Sequence, residues 1–434
     1  MNRTEMACST CHAPLNMLGD PPSYIHPLSF TTDGHEPVPV PAEQLDTIAR
    51  RCDFCGDPHP VWSLHGGNVT VVALDDSGSG LAQDYGEVWA ACVPCESLVS
   101  AGDLDGLVAR AGTALGWRKG DEALQQIAKL HAAFLASRPA GRTLITTTSW
   151  PHTPLAARDL PKVRDRFVRL YRSSDQLPGP YANPQVRDDL AAGLESARLY
   201  WIDPEFTTLA EHAAGQLPDT GIDPDDPPAP SGLIVWAQPV TNRQVAAASW
   251  SIDNHTGSCR IACYRSIGGG LDGPALQQLR EQVGWLAPTR LVEVAPRKVL
   301  APGGPAAPLL ATWLLIAQKA AEAVPVELDK ATRRAYARQQ RPAPEVHLVR
   351  IRTRADSRAP AGAVGGSGRG RAPLQEREWV GGHWKQQAYG PGRSQRRLTY
   401  VAAYLRGPDN KPIRASSTVR VLGSNRPPDP RPKQ

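Results

Sequence analysis

Long apolar runs are missing from this chain. The most apolar stretch, Pro308 to Val324, is interrupted by Gln318, Lys319 and Glu322. It is too short and too polar to cross a bilayer and reads as a buried helix. Met1-Asn2-Arg3-Thr4-Glu5-Met6 lacks the apolar core of a secretory leader, so the expected setting is the reducing cytoplasm. Catalytic signatures are equally scarce. Gly268-Gly269-Gly270 is not followed by Lys-Ser/Thr and reads as a turn, not a phosphate loop. His152, His212 and His255 stand at no spacing that pairs them with a nucleophile or an acid. No internal repeat is present beyond short cysteine pairs.

Proline and glycine, by contrast, are abundant. The 42 Pro and 38 Gly make up about 18% of the 434 residues, against roughly 12% in an average protein. Much of the chain is therefore loop and linker, although 41% apolar residues suffice for real cores.

Six of the eight cysteines fall in Cys-x-x-Cys pairs: Cys8/Cys11, Cys52/Cys55 and Cys92/Cys95. A Cys-x-x-Cys turn brings two sulfurs to one edge of a tetrahedron, so two such turns complete the shell of one Zn²⁺. Cys52, Cys55, Cys92 and Cys95 are the expected set, with Gly56 letting the backbone turn tightly behind Cys55. The gap from Cys55 to Cys92 exceeds the usual ribbon spacing of roughly 15–20 residues, and the excess reads as a β-hairpin with its tip near Asp75–Gly80. Four thiolates leave no open position, so the role read here is structural. Cys8 and Cys11 either form a second site or replace one of the other pairs; His12, His26 and His35 are the nearest further ligands. Cys259 and Cys263 lie four apart on an expected strand, about 13 Å from each other, too far to share an ion. They read as buried apolar cysteines.

Charge is unevenly placed. Residues 330–434 hold 23 Lys and Arg against 6 Asp and Glu, whereas residues 1–329 hold 25 against 37. A tail with a net charge of +17 on a body of −12 suggests contact with a polyanion, or with the protein's own acidic part. Within the tail, Arg377, His383, Trp384, Lys385, Arg393, Arg396 and Arg397 alternate basic and aromatic groups among turn glycines. Guanidinium groups neutralise phosphates and aromatic faces stack on bases, which suits nucleic acid. The same alternation also suits an ordinary small β module with Trp379 and Trp384 in its core.

The pattern as a whole predicts an α+β, multidomain chain. Residues 1–140 form a zinc-ribbon-like module with trailing helices over Leu104–Leu115 and Glu122–Ala136. Residues 141–216 are helical, with helices over Leu160–Tyr171 and Asn183–Leu199, the second capped by Asn183. Residues 217–231 are an acidic, Pro-rich linker. A central α+β domain occupies 232–341, with strands Leu233–Trp236, Val245–Ile252 and Cys259–Ser266, helices over Gly273–Gly284 and Pro308–Val324, and a basic helix at 328–341. Residues 342–434 begin with a strand at His347–Arg352. A flexible linker at 355–373 leads to a small, basic, β-rich module with strands near 377–386, 398–405 and 418–422.

The segment from Trp379 to Val421, with its GHW, RRL and YLRGPDNKP pieces, resembles a C-terminal element of uncharacterised proteins of actinobacteria and their phages. The pieces CDFCGDPHPVW and WAACVPCESLVSAGD look like a zinc-binding region of actinobacterial proteins. The resemblance implies metal binding at Cys52, Cys55, Cys92 and Cys95 and a mobile-element connection. Three functions remain in view: a zinc-stabilised protein engaging nucleic acid through a basic arm, a protein-interaction scaffold, and an enzyme whose site lies in residues 140–330.

Overall fold

The computed structural model describes residues 5–18, 21–27, 33–74, 80–118, 120–137, 141–223, 225–241, 244–253, 255–296, 298–300, 303–352, 376–406 and 412. Helices and sheets are mixed throughout, as an α+β chain requires. The expected linker at 355–373 and strand at 418–422 lie outside the described residues.

Among the described residues of 5–50 the strands are three residues long: Met6–Cys8 pairs with Pro39–Pro41, and Asn16–Leu18 with Ser23–Ile25. Next comes an antiparallel sheet with Trp62–His65 between Val88–Ala91 and Arg142–Leu144. The helix Val93–Ala101 follows directly from Cys92, carries Pro94 in its first turn and ends at Gly102 in the left-handed region, φ 67°. Helices Leu104–Leu115 and Glu122–Ala136 lie where the sequence placed them. The excess between the two central cysteine pairs is a hairpin, Thr70–Leu74 with Gly80–Asp84, whose tip at 75–79 is outside the described residues.

A seven-stranded sheet forms the centre. Its strands are β1 (Arg198–Ile202), β2 (Ser231–Val240), β3 (Val245–Ile252), β4 (Cys259–Ser266), β5 (Leu286–Val294), β6 (Ala321–Pro325) and β7 (Val346–Ile351), in the order β5-β4-β3-β2-β1-β7-β6. β1 runs parallel to both β2 and β7; the remaining pairs are antiparallel. Pro288 and Pro325 both fall on edge strands, where a missing N–H is tolerated. Alternation along the strands splits the core in two. Leu199, Leu233 and Tyr264 face helices Leu160–Tyr171 and Pro184–Glu195 and share one continuous core with the cysteine-bearing module. Tyr200, Trp236 and Trp250 face helices Pro204–Ala214 and Ala307–Ile316.

This sheet crosses the expected boundaries at 216, 231 and 341. The helix predicted over Asn183–Leu199 stops at Glu195, although Asn183 caps it as expected by accepting from Gln185 N at 2.9 Å. The apolar run Leu199-Tyr200-Trp201-Ile202 beyond it is needed as β1, an interior strand of the sheet between β2 and β7. Residues 217–231 are not a free linker. Leu217 and Ile222 are buried and Thr220–Gly221 pairs with Val299–Leu300, while Asp219, Asp223 and Asp225 stay exposed. The apolar helix ends at Ile316 instead of Val324, because Ala321–Pro325 supplies the outer strand. Among the described residues no helix is long and apolar enough to cross a membrane.

The basic segment is divided by the sheet. Helix Lys330–Arg338 lies on one side, with Tyr336 buried and its hydroxyl donating to Asp165 Oδ2 at 2.6 Å from the helix Leu160–Tyr171. The C-terminal hairpin, His383–Tyr389 with Gln395–Val401, lies on the other, its Tyr400 buried with the core of Pro204–Ala214 and Ala307–Ile316. The tail read as one basic arm is therefore two separate elements.

Candidate metal centres

The sulfurs of Cys52, Cys55, Cys92 and Cys95 lie within 4.8 Å of one another, and all four residues are buried. Each pair is delivered by local backbone. Cys52 N–H donates to Asp57 O and Gly56 N–H to Cys52 O, both at 2.8 Å, and Gly56 takes φ 74° to close the turn. Cys92 is the N-cap of helix Val93–Ala101, and Cys95 sits in its first turn, where the helix dipole favours a thiolate. The hydrogen bond from the Cys52 thiol, with that of Cys95 behind it, holds Cys55 and Cys92 low, while burial pushes Cys52 well up. A dication held among the sulfurs would allow all four to ionise. Arg110 stands 3.6 Å from Cys92 Sγ and 3.8 Å from Asp57 Oδ2. Against its own partial burial, the charge of Cys92 and then Cys55 keeps its guanidinium firmly protonated. Nothing in the sequence marks Arg110, since its place follows only from how helix Leu104–Leu115 packs.

A second tetrad gathers Cys8, Cys11, His26 and His35, again with ligand atoms within 4.8 Å of one another. Cys8 Sγ lies 3.3 Å from His35 Nε2, and Cys11 Sγ 3.4 Å from His26 Nε2. Against the burial that disfavours its charge, the N–H groups of Val38, Cys11 and Thr10 bring the Cys8 thiol down to about 5. Cys8 and Cys11 thus do not replace either central pair. Of the three histidines the sequence offered, His12 is turned away, its Nδ1 2.8 Å from Thr47 Oγ1. Either tetrad can hold a metal ion. Cys259 and Cys263 are buried in β4 and belong to no such group among the described residues; burial pushes the Cys259 thiol up to about 12.

The residues expected to meet nucleic acid fall into two roles. Trp384 anchors the hairpin: its indole N–H donates to Ala213 O at 2.8 Å and its ring meets Tyr400 edge-on at 5.1 Å. Its place on a base stack is thereby taken by the protein's own body. Lys385 and Arg397 project from the opposite face with His383, while Arg393 and Arg396 stand at the turn end; all five are exposed. Arg397 lies over the ring of Tyr389 at 5.8 Å, and Tyr389 is the aromatic that this face leaves exposed. Arg377 sits apart from this surface, its N–H bonded to Pro412 O. His152, His212 and His255, the enzyme candidates, lie on separate elements and join no metal-ligating group.

These features define an α+β protein with two Cys/His clusters able to hold metal ions. No family model matches the chain, and no curated protein or solved structure matches it either.

Proposed function

We propose that this is a zinc-binding protein that engages nucleic acid through the outer face and the exposed turn end of the hairpin His383–Val401. The supporting observation is that hairpin's composition and docking. It holds Lys385, Arg393, Arg396 and Arg397 with no Asp or Glu between His383 and Val401, and a buried anchor fixes it to the body. Basic groups held outward on a fixed ribbon give phosphates a defined track, with Tyr389 as a stacking platform. The ion in the four-cysteine cluster is read as Zn²⁺, which favours four sulfurs in a tetrahedron, and its module as ribbon-like. A mobile-element origin, implied by the resemblance over Trp379–Val421, belongs with this reading.

The test is binding of labelled single- and double-stranded DNA and RNA by the full chain across a salt series. A variant carrying Lys385, Arg393, Arg396 and Arg397 all changed to Gln is compared. Four lost phosphate contacts lower the slope of log K against log salt by about 3–4. Equal binding by the variant, or no binding at low salt, overturns the proposal and favours a protein partner. Truncation at Leu328 is no substitute, because it removes β7 from between β1 and β6. Trp384→Ala is a second check: with its anchor gone, the isolated hairpin is marginal, and binding falls with it while the zinc content stays.

A further inference from the structure

The first fifty residues cannot fold on apolar burial alone. Their own buried cluster consists of Ala7, Ala42 and Ile48, with Leu45 partly covered. Strands of three residues and so small a core fall well below what holds a domain together. Something else fixes this segment.

The backbone around Cys8 says what. Cys8 N–H donates to Ala13 O and His12 N–H to Cys8 O, both at 2.8 Å. Those are the two bonds that Cys52 N–H makes to Asp57 O and Gly56 N–H to Cys52 O, position for position, at the same length. The residue after the second cysteine takes a left-handed conformation in both, φ 62° at His12 and 74° at Gly56. Glycine adopts it freely; histidine does so against steric resistance. The chain thus builds the same knuckle twice, once with a residue that does not favour it. The histidines are set as ligands too. Asp33 Oδ1 is hydrogen-bonded to His35 Nδ1, which leaves His35 Nε2 facing Cys8 Sγ. A carboxylate behind the imidazole of a metal-bound histidine fixes the ring in this manner.

We propose that Cys8, Cys11, His26 and His35 form a second Zn²⁺ site whose ion folds residues 5–45, and that it empties before the four-cysteine site. The order follows from exposure: Cys52, Cys55, Cys92 and Cys95 are all buried, whereas Cys11, His26 and His35 are half-exposed. The ion acts as a detachable clip. The folded segment is seated on the sheet by Arg290, which pairs with Asp46 Oδ1 at 2.5 Å, and by Arg265, which donates to Asp46 O at 2.9 Å. This inference does not rest on nucleic-acid binding.

Native mass spectrometry of the full chain, loaded with zinc, tests it. Two ions per chain are expected, and one in Cys11→Ser and in His35→Gln. His12→Gln, whose ring faces Thr47, retains two. A graded chelator should release one ion at least tenfold faster than the other. Hydrogen exchange should then rise at least tenfold over residues 5–45 and stay unchanged in β1 to β7. One ion in the wild type, two ions retained in His35→Gln, or release of both ions at one rate would overturn the assignment. Should Cys11→Ser fail to fold, His35→Gln and the chelator series still decide.

Discussion

Replacement of Cys95 by serine is expected to unfold the central sheet together with the cysteine-bearing module. The reason is a shared core. Cys52, Phe54, Cys92 and Cys95 belong to the same buried cluster as Phe167, Tyr264, Leu279 and Leu286. Helix Val93–Ala101 begins on Cys92, so without an ion in the cluster nothing would fix the end of the helix whose Glu96 and Ser97 bond Gln282 and Gln278. A structural zinc contributes on the order of 10 kcal/mol, comparable with the whole stability of a domain, about 5–15 kcal/mol. Cys95→Ser should therefore lose the cooperative thermal transition seen by far-ultraviolet circular dichroism, and a strong chelator should do the same to the wild type. Cys259→Ser, which places a hydroxyl in the apolar core, should keep the cluster's zinc and lose about 1–3 kcal/mol. A Cys95→Ser protein that melts like the wild type would show that the four-cysteine cluster is not structural.

How much of this was legible in the sequence varies with the range of the interaction involved. Helices such as Glu122–Ala136 and Leu160–Tyr171 stand where local pattern placed them. So do the cysteine pairs, since a knuckle is a few residues of local geometry. The sheet was harder, because β1 is a short apolar run whose first two residues were read as the end of a helix, and its partners β2 and β7 lie far along the chain. Asp203, which caps the next helix by accepting from Phe206 N at 2.6 Å, was the available signal for ending β1 there. Strand β5 escaped because Pro288 and Arg290 break its alternation, and an edge position is what makes both acceptable. The ligand choice among His12, His26 and His35 depends on which loop folds back over Cys8, and spacing carries no information on that. The same holds for Trp384: composition showed an aromatic among arginines, and only its contact with Ala213 decides that the ring faces inward.

Arg142→Ala should be the most damaging single change outside the metal ligands. Arg142 begins the strand beside Trp62, and its guanidinium lies 3.9 Å above that indole. One arm reaches Glu96 Oε2 at 3.0 Å; Nε and Nη2 bond the two oxygens of Asp175 at 2.9 and 3.3 Å. Glu96, the residue after Cys95, is buried, with 5% of its side chain exposed. Its remaining partners are the Ser100 hydroxyl at 2.7 Å and Gln282 Nε2 at 3.2 Å, and Gln282 accepts in turn from Trp62 Nε1 at 2.9 Å. The network thus joins the helix Val93–Ala101 to the helix Gly273–Gln282 through Glu96, and Arg142 links that carboxylate to Asp175. Removing that cation strands a buried carboxylate, and breaking such a pair costs about 3–5 kcal/mol. Urea unfolding of the zinc-loaded protein should show that loss. Glu96→Gln in the Arg142→Ala background should restore part of it, because the buried charge goes while Ser100 and Gln282 keep a side chain to bond. If the double variant is no more stable than Arg142→Ala, the cost comes from lost stacking on Trp62 and not from the uncompensated charge. The same cycle measures how firmly the helix Val93–Ala101 is joined to the helix Gly273–Gln282, since Glu96 and Gln282 lie on the two sides of that junction.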